Sequence, residues 1–100
     1  PVVHLSQGEI RRKFNAERHF ERFLAGEYLA CLRKESVPSS VDEPVNTRSL
    51  TIDYLDLQGN RVCRVHMYLR PDGTLGGSGD FPGRPDPKQL IVEGTKYVLE

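Results

Sequence analysis

One hundred residues, 37% of them hydrophobic, set the expectation of a single small domain with one modest core. Fourteen Lys and Arg balance fourteen Asp and Glu, which argues against a protein held to nucleic acid by bulk charge alone. No apolar run approaches the ~20 residues of a membrane span, so membrane contact is not expected.

The balance is uneven along the chain: seven basic and four acidic residues over 1–34, one and five over 35–58, six and five over 59–100. No signal segment opens the sequence. Two isolated cysteines, Cys31 and Cys63, stand outside any ligand spacing and read as thiols of a reducing, cytoplasmic compartment.

Residues 1–5 (PVVHL) read as a short strand or a lead-in. Ser6 with Glu9 three residues on is a capping-box pattern, which predicts helical structure over roughly 7–25. Ile10 and Phe14 share one face, and Phe20, Phe23 and Leu24 share another. A straight helix would bury Lys13, Glu17 and Glu21 between them, so a break is expected near Asn15. Arg11, Arg18 and Arg22 then line up on an outer, solvated face with Asn15. Gly26 is placed to end the helix. Residues 27–34 (EYLACLRK) read as a strand, and 35–47, with Pro38 and Pro44, as a long acidic surface loop.

Residues 48–57 (RSLTIDYLDL) and 61–70 (RVCRVHMYLR) read as a β-hairpin turning at Gln58-Gly59. Leu50, Ile52 and Tyr54 must share the buried face with Cys63, Val65 and Met67. A two-residue loop meets that demand, pairing Ile52 with Val65, Leu50 with Met67, Asp53 with Arg64 and Thr51 with His66. A three-residue loop would mix the faces. Pro71-Asp72-Gly73 is a turn with proline at its first central position, and Thr74-Leu75 opens a short strand. The run Gly76–Gly79 suits neither helix nor strand, and loop continues to Pro85. Asp86 as N-cap with Pro87 at N1 predicts a short helix ending before Gly94. Residues 95–99 (TKYVL) form the last strand.

The expected fold is therefore α+β. A helical segment packs on a small curled antiparallel sheet of three to four strands, with a short helix before the last one.

The candidate site is the polar side of residues 61–70. Arg64, His66, Tyr68 and Arg70 recur at every second position, so an extended chain holds neighbours on one face about 7 Å apart. Arg grips phosphate bidentately, His exchanges protons near neutral pH, and Tyr stacks on a base. Thr51, Asp53, Gly76, Gly77, Ser78 and Lys88 complete the candidate ligand-binding set. Three plainer readings compete: Arg64 and Asp53 form only a cross-strand ion pair, a helix covers that face and makes His66 a satisfied core residue, and the glycine run is only a turn.

No H-x-x-x-H, Cys/His cluster, G-x-S-x-G or Walker-type motif is present, so neither metal nor other cofactor is expected. In order of elements, a helix before a four-stranded antiparallel sheet resembles small microbial endoribonuclease toxins, which also put Arg and His on the open sheet face. That resemblance implies RNA as ligand.

The function expected is a binding or interaction domain. Its Arg64/His66/Tyr68/Arg70 face contacts a protein or a phosphate-bearing ligand such as RNA. The alternative is a metal-independent endoribonuclease, with His66 as acid or base and Arg64 and Arg70 stabilising the phosphoryl transition state. Edge-to-edge pairing of strands into a homodimer is a further option.

Overall fold

A computed structural model describes residues 1–38, 42–76 and 83–100. In it β1 (Val2–Leu5) leads into α1 (Gln7–Ala16), α2 (His19–Leu24), β2 (Leu29–Ser36), β3 (Arg48–Leu55) and β4 (Arg61–Leu69). β5 (Leu75–Gly76), β6 (Asp86–Val92) and β7 (Thr95–Leu99) follow. Six strands lie in the order β1-β7-β6-β4-β3-β2, and β5 pairs with the end of β4, making seven in one sheet among the described residues. That is more than the three or four expected, and the sheet is mixed because β1 runs parallel to β7.

Residues opposite one another in register share a face. One row reads Ala30, Tyr54, Cys63, Leu90, Tyr97, Val3, and is apolar or aromatic throughout. Its neighbour reads Cys31, Asp53, Arg64, Gln89, Val98, His4. The alternation that builds one strand thus runs across the whole sheet.

Ile10 and Phe14 of α1 bury themselves completely against Tyr54, Cys63, Val65 and Leu90. Phe23 of α2 stacks on Tyr54 with ring centroids 4.5 Å apart. Both helices therefore cover the apolar face, and α1 also reaches the polar one at Asp86, through Gln7 and Arg11.

The helical span came out as expected, with Ser6 and Glu9 closing a complete capping box. The break falls later than Asn15. α1 ends at Ala16, and Arg18 takes a left-handed φ of 55° to redirect the chain into α2, without a side-chain cap. The three arginines do not form one solvated stripe. Arg11 reaches Asp86, Arg18 makes the bend, and Arg22 lies 5.0 Å over the Tyr28 ring. Leu24, expected among the apolar set, is exposed. Gly26 ends the helical pair at φ 84°, as its position suggested.

The expected short helix at Asp86-Pro87 is corrected to a strand. Five or six residues cannot form enough helix to compete with ladders on both sides. Here β4 and β7 supply them. Pro87, which has no N–H to donate, sits beside the irregularity at Lys88 and turns its ring to the buried face.

The hairpin register is the one derived from the faces: Ile52 opposite Val65, Asp53 opposite Arg64, Thr51 opposite His66. The two-residue loop is not. Leu55 pairs with Arg61 around residues 56–60, and an extra residue at Val62 restores the register beyond it.

Candidate functional site

Asp53 is the electrostatic centre of the open face. It lies in the middle of β3 and is 5% exposed. Arg64 grips it with a fork, Nε donating at 2.7 Å and Nη2 at 3.1 Å. Arg33 Nε stands 3.6 Å away and Arg61 Nη1 3.9 Å. Burial pushes the Asp53 carboxyl up, but the Arg64 hydrogen bonds and the charges of Arg64, Arg61 and Arg33 outweigh it and hold the group below the usual aspartate range. One fixed negative charge thus gathers three guanidiniums.

Two irregularities make this convergence. Arg33 is the extra residue of β2, between Leu32 opposite Ile52 and Lys34 opposite Thr51. The extra residue at Val62 turns Arg61 to the side of Leu55 and Asp53; strict alternation from Cys63 would have sent it under the helices. Sequence reasoning missed Arg33 and Arg61 for that reason. The available signal was arginine density around the hairpin, without phase.

His66 stands in the adjoining row, opposite Thr51 on one side and Asp86 on the other. Its Nε2 lies 2.6 Å from Ser49 Oγ, and Tyr68 meets its ring edge-on at 4.8 Å. Burial and the charge of Lys88 push the imidazole pKa below its ordinary value, and Asp86 only partly offsets them, so the neutral form of His66 is favoured. Asp86 is itself engaged. It accepts from Arg11 Nε at 3.0 Å, Gln7 Nε2 at 3.2 Å and Lys88 Nζ at 3.5 Å.

Of the expected row, Arg64, His66 and Tyr68 stay on β4, while Arg70 lies just past its end. Arg70 clasps Glu43, with Nε at 2.8 Å and Nη2 at 3.3 Å. Gly76, opposite Tyr68, supports that carboxylate so closely that a Cβ there would overlap it. Lys88 joins the site through Asp86 and His66, and Thr51 through its place opposite His66. Gly77 and Ser78 lie outside the described residues.

Among the described residues this face carries the cations Arg33, Lys34, Arg61, Arg64, Arg70, Lys88 and Lys96, against the carboxylates Glu43, Asp53 and Asp86. A chain of zero net charge therefore presents a locally basic surface. Among the described residues no three His, Cys, Asp or Glu side chains gather to hold a metal, and no helix is long and apolar enough to cross a membrane. Comparison of the chain with family models, with curated proteins and with solved structures found no match.

Proposed function

We propose that the open sheet face binds a phosphate-bearing polymer, with single-stranded RNA as the ligand class. The observation that carries this reading is the gathering of Arg33, Arg61 and Arg64 around one carboxylate. Arg64 spends two of its five N–H donors on Asp53. Arg33 and Arg61 meet Asp53 beyond hydrogen-bond length, which leaves their planar forks for phosphate oxygens. Tyr68 and His66 next to them offer rings on which a base stacks, at some cost to their edge contact with each other.

Fluorescence anisotropy with a labelled single-stranded RNA of roughly twelve nucleotides at low salt tests it. Arg33→Ala and Arg61→Ala should each weaken binding by about 3- to 10-fold, while Arg12→Ala on the exposed side of α1 should leave it unchanged. Absent binding, or equal loss in all three variants, would remove RNA from this face and leave a protein partner as the working account.

Cleavage is the second reading, favoured by one observation: a His66 biased to its neutral form and held by Ser49 beside Lys88. The arginines expected to stabilise a transition state, Arg64 and Arg70, are both clasped by carboxylates, which favours binding over chemistry. RNA that stays intact with the wild-type protein ends the cleavage reading. If it is cut, His66→Ala should abolish cutting and spare most of the affinity.

A further inference from the structure

Glu43 belongs to the acidic segment between β2 and β3, yet its side chain is only 7% exposed. Its neighbours Asp42, Pro44, Val45 and Asn46 are all exposed. The burial comes from docking on the sheet. Arg70 holds the carboxylate with two donors, and Gly76 provides a floor that any side chain would fill. Gly76 lies opposite Tyr68, which lies opposite Ser49, the partner of His66. Glu43 therefore sits at one end of the same open face whose middle carries Arg64.

Two parallel N–H donors on a planar acceptor are what a guanidinium offers a phosphate as readily as a carboxylate. A glycine floor lets the anion come close to the backbone. Arg64 and Arg70 are six residues apart along an extended chain, about 20 Å, within reach of a short oligonucleotide.

We infer that Glu43 is an internal stand-in for a ligand phosphate. It occupies an anion subsite built by Arg70 and Gly76, and a polymer long enough to run from the Asp53 arginines to Arg70 displaces it. The segment carrying Glu43 thus restrains binding at the far end of the face. This rests on the phosphate-binding reading of that face, and it adds a regulated subsite to it.

The test uses the same labelled RNA with Glu43→Gln, which removes the charge and keeps the size. Binding should tighten by about 3- to 5-fold, and the salt dependence should steepen by about 0.7 in the log–log slope, one more phosphate contact. An RNA of about four nucleotides, too short for both ends, should show no gain. Gly76→Ala, whose Cβ fills the floor, should close the subsite to phosphate as well as to the carboxylate and so erase the gain when added to Glu43→Gln. Arg70→Ala in the Glu43→Gln background should erase it, and Asp42→Asn, one residue away and exposed, should not produce it.

Circular dichroism confirms that each variant is folded, and Glu43→Gln carries the test alone if Gly76→Ala is not. Unchanged or weaker binding by folded Glu43→Gln overturns the inference. So does a gain that survives loss of Arg70, because it would then be general charge repulsion. Wild-type binding that depends on Arg33 and Arg61 while Glu43→Gln changes nothing sinks the subsite alone. Failure of the wild-type protein and of Glu43→Gln to bind sinks both readings.

Discussion

His19 lies under the helical face with its Nδ1 2.9 Å from the Tyr28 hydroxyl and its ring 5.6 Å from Phe14. Burial, with the charge of Arg22, lowers its pKa from an ordinary 6.5, and Glu17 offsets this only in part. His66 is lowered too, first by burial and then by Lys88. A histidine depressed in the folded state binds its proton more readily when unfolded. Its contribution to stability is complete above pH ~6.5 and drains away as pH falls through that value. Thermal melts from pH 7.5 down to about 5 should show a falling midpoint. His19→Gln, which cannot titrate and can still meet Tyr28, should give a shallower slope, and an identical slope would acquit His19. Cys63 behaves differently. Burial, aided by the Asp53 charge, pushes its thiol up to about 12, so it packs as a small apolar group. Cys31 lies in the row of Asp53 and Cys63 in that of Tyr54, so the two free thiols point to opposite sides of the sheet.

Elements join through their ends. α1 begins with Ser6 Oγ accepting from the Glu9 N–H at 3.3 Å while the Glu9 carboxylate accepts from the Ser6 N–H at 3.1 Å. Because α1 carries Ile10 and Phe14 into the core, its first turn sets the angle of that packing. Ser6→Ala should cost about 1 kcal/mol in a denaturant titration, and a change within a few tenths would mean that core packing alone holds the turn. At the far edge, β2 is long and mostly exposed. Its extra residue at Arg33, with Lys34 beside it, interrupts the flat ladder that a second copy would need, and this weighs against a homodimer through that edge. The irregularity that guards the edge is also the one that brings Arg33 to Asp53.

At the scale of the molecule, zero net charge conceals separation. Basic groups collect on the open sheet face, and Glu43, from the acidic stretch before β3, sits at one end of it on Arg70. A surface of this kind attracts a polyanion locally without the long-range pull of a basic protein. RNA affinity should therefore be modest and fall steeply between low and physiological salt. Measuring affinity against salt checks this, and a complex indifferent to salt would exclude phosphate recognition by these arginines. Glu43 and Arg84 act as long-range ties: Glu43 on Arg70, and Arg84 on Glu21 at 2.9 and 3.2 Å. They fasten the ends of the loops to the sheet and helices rather than adding core.

The sequence by itself determined what depends on near neighbours. The capping box located α1, Gly26 ended the helical pair, and the apolar alternation of Leu50, Ile52, Cys63 and Val65 set a register that held although the loop length was wrong. Face matching carries that register, and one extra residue at Val62 absorbed the error. Local signals also placed His66, Arg64 and Tyr68 on one side of β4. Only the tertiary structure decided the rest. Asp86–Val92 carries local helix signals, yet two neighbouring strands offer it a full ladder. Arg61 changes face because of an extra residue, a shift of phase that composition does not announce. Glu43 meets Arg70 across 27 residues of chain, through a glycine floor that exists only once β5 pairs with β4. Alternation and caps are short-range; ladders, phase shifts and ion pairs across the sheet depend on which strands become neighbours.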